Sequence, residues 1–265
     1  MHKKDARKRK KLVNQIRHHR VMADGRVLTP DGRETLLGNL APVKQIPMLP
    51  WKRVLVFPTV EKQITISTVG ENAWFYNLLK ETSEKNHDLV GFTPVKSLDA
   101  EGFDDIAVGS IGIAVQIREI ETTADEKVNI QLKGICRYET TGFLPSAANH
   151  FSVNIKWFED NREADSLVRP HFVKLLQIFE RLSKAAGVQM HDYFDLSKNV
   201  NYDFTAAQYL SFIFIDGFRG WFTEEEKCEL LRLRSTAHRL KKINERAKTE
   251  LPDMERRFKK QQKNK

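Results

Sequence analysis

The sequence predicts an α+β protein: a small, mostly antiparallel β-barrel with one early helix, followed by a C-terminal α-helical bundle. Three observations predict it. Apolar residues alternate with polar or small ones in short runs between Trp51 and Phe158. After Asn161 they recur at three-and-four spacing instead. The change is abrupt, as it is when strands and helices occupy separate parts of a chain.

Before the first strand lies a segment unfit to fold alone. The 265 residues carry a net charge of +9, with 40 % hydrophobic content, enough for a sizeable core. Residues 1–20 hold nine Lys/Arg against Asp5, and residues 254–265 hold six against Glu255, so the 233 residues between them carry −4. The basicity sits in two tails. Residues 1–45 are expected to be a disordered basic arm and linker, in which Asp24-Gly25, Pro30 and Asp31-Gly32 leave room for one weak hairpin.

The β part is expected over residues 46–161. In QIPMLPWKRVLVFP, Pro47 and Pro50 keep the approach extended, period-two alternation begins at Trp51, and Pro58 ends the strand by removing an N–H. Gln63–Ser67 is a second strand. Gly70–Lys85 shifts to helical spacing, with Trp74 and Leu78 inward and Phe75, Leu79 and Thr82 on adjoining stripes. Strand patterns resume at Leu89–Val95, Ile106–Ile120, Lys127–Lys133, Gly134–Thr140 and Phe151–Phe158.

Helices are expected over residues 162–251. Residues 163–186 form an amphipathic helix that Gly187 stops, with Pro170 in the first turn if the regular helix begins near Arg169. Phe204–Phe218 is apolar nearly all round and therefore buried. Thr223 opens TEEE, a capping box, and the helix it starts runs past Leu230, Leu233 and Leu240 to about Glu250, where Pro252 breaks or kinks it. Residues 252–265 read as a basic tail or the start of a long helix.

Catalytic signatures are absent. There is no GxxxxGK[ST], GxSxG or HExxH. Ser183-Lys184 and Ser197-Lys198 read as chance neighbours, and Gly109 and Gly112 sit inside an alternating strand. His18, His19 and His238 are flanked by Arg or Lys, which disfavours a cation site. Cys136 and Cys228 lie far apart and outside any CxxC, which argues for a reducing compartment and against zinc or a disulfide. No run approaches the roughly 18 to 20 apolar residues of a membrane helix. A non-enzyme without cofactor or metal, in the cytoplasm, is expected.

Four stretches carry a resemblance. PMLPWKRVLVFP resembles the opening strand of the LON substrate-binding domain, the N-terminal domain of Lon proteases, with Phe57-Pro58 at its last two positions. VGSIGIAVQIREIE is similar to the family's G-[ST]-x-[GA]-x-[IV] strand through Gly109 and Gly112. LKGICRYE is similar to its xGxxRF turn through Gly134 and Arg137, with Tyr138 for Phe. FTEEEKCELLRLRSTAHRLKKI resembles a late helix of the family's bundle. Two features depart: QITISTVGENAWF replaces the family's usual Pro-Leu and Glu-Pro, and the ATPase and protease domains of Lon are missing.

The resemblance implies a PUA-like β-barrel and helical bundle that recognise unfolded or client protein segments without chemistry of their own, in a stand-alone relative or a truncated protease. Candidate protein-binding residues are Phe57, Pro58, Trp74, Phe75, Phe143 and Trp157, with core packing the alternative for each. Candidate phosphate-binding residues are Lys3, Lys4, Arg7, Lys8, Arg9, Lys10, Lys11, Arg256, Arg257, Lys259 and Lys260. Expected partners are client proteins and a protease complex, with RNA or the ribosome through the basic tails as the alternative. Solubilising or targeting tails are a third reading.

Overall fold

The computed structural model describes residues 20–21, 27–28, 45–52, 56–58, 60–69, 76–77, 79–80, 89–95, 106–123, 126–144, 151–185, 204–217 and 220–263. The first two short pieces, β1 (Arg20–Val21) and β2 (Val27–Leu28), form an antiparallel pair where the weak hairpin was expected. The remaining strands are β3 (Gln45–Trp51), β4 (Glu61–Ser67), β5 (Leu89–Pro94), β6 (Ile111–Thr122), β7 (Lys127–Leu144) and β8 (Phe151–Trp157). The helices are α1 (Asp165–Ala185), α2 (Phe204–Gly217), α3 (Glu224–Arg232) and α4 (Thr236–Lys263). Tyr76, Asn77, Leu79 and Lys80 are helical, within the early helix read from the sequence.

Strands β3 to β8 make one sheet in the order β4-β7-β6-β5-β3-β8, and β7 also pairs with β8. Among the described pairings, only β3–β5 is parallel. The expected barrel is corrected in one respect: this is a mixed six-stranded sheet that curls until β8 meets β7, with β4 left outside the curl. The cause is the length of β7. The runs Lys127–Lys133 and Gly134–Thr140 fuse into one strand of 18 residues, whose first part pairs with β4 and whose last part pairs with β8. Register shifts at Ala114/Val115 and Ile117/Glu119 let β6 follow it along the bend.

The first strand lies upstream of its expected place. Trp51 ends β3, Val56 and Phe57 are not in a strand, and Pro47 and Pro50 lie inside it. Backbone alternation explains why the prolines are tolerated. Trp51 C=O accepts from Val95 N–H, so Leu49 and Pro47 also turn their polar groups toward β5, and Pro50 and Met48 turn theirs toward β8. Pairing with β5 covers Met48 to Trp51 only, and pairing with β8 covers Gln45 to Met48 only. The described ladders need no donor from either proline: the missing N–H of Pro47 falls before the β5 pairing and that of Pro50 after the β8 pairing. Likewise β6 begins at Ile111 rather than Ile106, because Ser110 N–H bonds back to Ala107 C=O in a turn.

Two apolar layers follow from strand alternation. Ile111, Ile113, Val115 and Ile117 of β6 join Val128, Ile130 and Leu132 of β7 against the helices, in a core that includes Phe172, Leu175, Phe212, Leu240 and Ile243. Ala114 of β6, with Met48, Cys136, Tyr138, Val153 and Trp157, belongs to a second cluster.

The helical part also differs from its expected limits. α1 starts at Asp165, so Pro170 lies inside it and leaves Ser166 C=O without its usual N–H donor. The Thr223 capping box is present: Thr223 Oγ1 accepts from Glu226 N–H at 3.2 Å, and Glu226 Oε2 accepts from Thr223 N–H at 2.8 Å. The helix it opens ends at Arg232, and α4 starts anew at Thr236 with Pro252 inside. α4 continues past Pro252 because its inner side stays docked: Trp221 Nε1 donates to Met254 Sδ at 3.1 Å, and Arg181 pairs with Glu255 at 3.1 Å. α1, α2 and α4 pack on one another.

Candidate functional site

Three of the residues that carried the family resemblance, Phe57, Gly134 and Arg137, meet at one place, the joint between sheet and helices. Phe57 is fully buried, stacks on Phe212 of α2 at 5.8 Å, and lies against Gly134 of β7. A Cβ at Gly134 would collide with Phe57 C=O, so only glycine lets these two backbones approach. Gly112 of β6 plays a similar part, leaving space for the Tyr138 ring, whose hydroxyl bonds Thr93 Oγ1 at 2.8 Å. Burial raises the Tyr138 hydroxyl well above its ordinary pKa, and the Thr93 bond offsets only part of that.

Three residues beyond Gly134, Arg137 points into the joint. It is 2 % exposed and pairs with the fully buried Asp160, which also pairs with the fully buried Arg239 of α4. Arg137 Nη1 donates to the carbonyls of Leu231 at 2.6 Å and Leu233 at 2.7 Å, and Arg239 Nη1 donates to Leu233 at 3.0 Å. Arg239 Nε reaches Ser211 Oγ of α2 at 2.7 Å. Both guanidinium groups lie over the Phe212 ring, at 5.3 Å for Arg137 and 4.1 Å for Arg239. One carboxylate thus faces two cations, and the negative end of α3 supplies part of the missing charge through its free carbonyls.

The electrostatics follow from burial and pairing. Burial pushes the Arg137 pKa down to about 10, and Asp160 opposes the fall. Burial alone would raise the Asp160 carboxyl, but Arg239 and Arg137, with hydrogen bonds from Arg239 and Thr236, outweigh it and hold it below the usual carboxylate range. Burial also raises the Cys136 thiol well above its ordinary value, with Glu159 adding to the effect, so it stays protonated and inert.

This cluster explains the break between α3 and α4. Asn161 N–H bonds Arg234 C=O at 2.8 Å, and Glu163 accepts from Ser235 Oγ at 2.7 Å and Ala237 N–H at 3.0 Å. Ser235 Oγ in turn accepts from His238 N–H at 2.9 Å, which caps the new helix. Periodicity reads through the break, because Leu230, Leu233 and Leu240 keep helical spacing across it. Asp160 and Arg239 were missed for a related reason: a lone charge flanking an apolar stripe has the same pattern as a surface charge.

The sequence candidates separate sharply by burial. Phe57, Pro58 and Trp157 are buried, as core packing would have them, whereas Phe143 is 41 % exposed on β7. Trp74, Phe75, Lys3, Lys4, Arg7, Lys8, Arg9, Lys10 and Lys11 lie outside the described residues. Arg256, Arg257, Lys259 and Lys260 are brought together on the last turns of α4, where Arg256, Arg257 and Lys260 are exposed. The basic end is therefore helical. A cleft of about 250 Å³ between α3 and α4 is lined by Phe222, Leu230 and charged residues that pair across it, Glu226 with Arg246 and Glu229 with Lys242. Among the described residues, no group of three or more His, Cys, Asp or Glu is placed to hold a metal, and no helix is long and apolar enough to cross a membrane.

Among the described residues, β4 forms one edge of the sheet. Val60 C=O accepts from Gly134 N–H and Thr68 N–H donates to Glu126 C=O, so the even-numbered residues from 60 to 68 turn their polar groups to β7. Glu61, Gln63, Thr65 and Ser67 turn theirs the other way. Among the described residues, no second strand pairs with β4.

Comparison with known proteins places this arrangement. A search of curated proteins finds no significant match. The N-terminal domain of Mycobacterium avium complex Lon protease has a similar structure, with a TM-score of 0.52 and 15 % identity, over 77 % of this chain and 98 % of that one. The Lon N-terminal domain protein from Xanthomonas campestris is similar at a TM-score of 0.51 and 14 % identity, over 75 % of this chain and 96 % of that one. At such identities the likeness establishes the fold. The family model of the ATP-dependent protease La (LON) substrate-binding domain matches residues 45–249, which contain the sheet, the joint and most of the helices. The chain belongs to the LON substrate-binding domain family, whose domain is non-catalytic.

Proposed function

We propose that this chain is a non-catalytic recognition module that holds extended segments of unfolded or client proteins along the open side of β4. The observation that carries the reading is the row of outward N–H and C=O groups at Glu61, Gln63, Thr65 and Ser67. An unpaired strand edge is completed by any extended peptide, because the bonds are backbone to backbone and independent of sequence. β4 has neither a proline nor a register break against β7, so a strand added there finds a regular template. Ile64 and Ile66, half-buried on the inner face, offer apolar area to every second side chain of the added segment. Family membership supports the same reading.

The test uses a reduced, carboxymethylated protein that cannot refold, with its native form as control. Binding is read by fluorescence anisotropy. Gln63→Pro removes one outward N–H and leaves the β7 ladder intact, so capture weakens about 10-fold, the equivalent of ~1.4 kcal/mol. Unchanged affinity in folded Gln63→Pro and Thr65→Pro chains would reject the β4 edge. Loss of capture in Phe143→Asp alone would move the site to the exposed end of β7.

A further inference from the structure

We infer that the last turns of α4, with the end of α1 beside them, form a second binding surface, one for the phosphodiester backbone of nucleic acid. Between Arg256 and Lys263 the helix carries five cations and no acid. At ~100° per residue, positions 256, 260 and 263 fall on the side away from Leu251, Met254 and Phe258, which pack on the core. The result is a ridge of positive charge with its back docked.

A second helix contributes to the same end of the molecule. Asn244 Nδ2 donates to His171 C=O at 2.9 Å, and Arg181 pairs with Glu255, so α1 and α4 run parallel. That direction brings Arg181 and Lys184 alongside the ridge. The nearby acids are matched already: Glu255 pairs with Arg181, Asp253 with Arg256 and Glu180 with Lys184. The exposed Arg257 and Lys260 are surplus to those pairs.

Two simpler explanations account for less of this. Cations near a helix C-terminus offset the macrodipole, but only in the last turn, and Arg256 and Arg257 lie about two turns before Lys263. A helix lying on an anionic membrane needs an apolar face to bury, and here that face is occupied by the core. A polyanion that lies along the flank needs only the exposed cations.

The test measures binding of the full chain to a short single-stranded RNA, a short duplex DNA and vesicles of phosphatidylserine in phosphatidylcholine, over a salt series. Arg256→Gln/Arg257→Gln/Lys260→Gln is compared with a chain whose Lys/Arg at 3–11 are changed to Ser. For the α4 variant, RNA affinity at low salt falls about 10-fold, and the slope of log K against log salt shrinks by ~2, at ~0.7 per lost contact. Lys184→Gln shrinks it by a further ~0.7, and Lys248→Gln, exposed further up α4, leaves it unchanged. If the arm variant removes all RNA binding while the α4 variant keeps its affinity and slope, the surface is rejected. Loss of vesicle binding with RNA binding intact rejects it equally. A thermal melt confirms each variant folded, and should the triple variant unfold, Lys260→Gln and Lys184→Gln carry the test individually.

Discussion

At the joint, the carbonyls that α3 leaves over at Leu231 and Leu233 are both taken by arginine side chains, whereas along β4 four residues present N–H and C=O groups outward. One set is closed from within the chain; beside the other, no described strand pairs. The contrast locates the family signature: Phe57, Gly134 and Arg137 build or brace the closed region, and Gly112 makes room for Tyr138 in the second cluster. Their presence reports an assembled fold, whereas the proposed binding edge rests on backbone geometry that leaves little trace in residue type.

The largest way to break that contrast is to unbalance the joint. Asp160→Asn leaves two buried guanidinium groups facing no carboxylate and is expected to cost about 3–5 kcal/mol in a urea unfolding curve. The same residue fixes a pH dependence. Its carboxyl titrates lower in the folded chain than in the unfolded one, so its stabilisation is complete above the unfolded value near ~4 and is lost as pH falls through the folded value. The acid limb of a stability profile is therefore steeper in the parent chain than in Asp160→Asn; identical limbs would assign the charge balance elsewhere.

Gly134→Ala comes next. Its new Cβ meets Phe57 backbone rather than a flexible side chain, so the strand or the Phe57 segment must shift, at about 1–3 kcal/mol by thermal or urea melt. Gln63→Pro sharpens the comparison from the other side, since it weakens client capture about 10-fold while the unfolding midpoint stays within ~1 kcal/mol of the parent. The smallest effect is expected from Thr223→Ala, which removes the α3 cap for about 1 kcal/mol and leaves capture unchanged.

Much of the sheet was legible because alternation is local: β4, β5 and β8 lie where period two placed them. β3 was not, because its prolines read as strand ends when only the neighbours on each side decide whether an N–H is needed. The fused β7 hid behind Gly134, which reads as a boundary until the close approach of Phe57 gives it another reason. Of the site, Arg137 was visible only through resemblance, and its partners Asp160 and Arg239 looked like surface charges. Phe57, Pro58 and Trp157, candidates for binding with core packing as the alternative, are buried, since an aromatic pattern alone carries no sign of which side faces water.

The two prolines of β3 set limits on assembly. A strand with every N–H present could zip along either neighbour for its whole length, and a slip of one residue would turn Ile46 and Met48 out of their cluster. Pro47 stops β5 from pairing toward the start of β3, and Pro50 stops β8 from pairing toward its end. β3 is thus a strand with two separate landing zones, and the curl of the sheet can close on only one alignment.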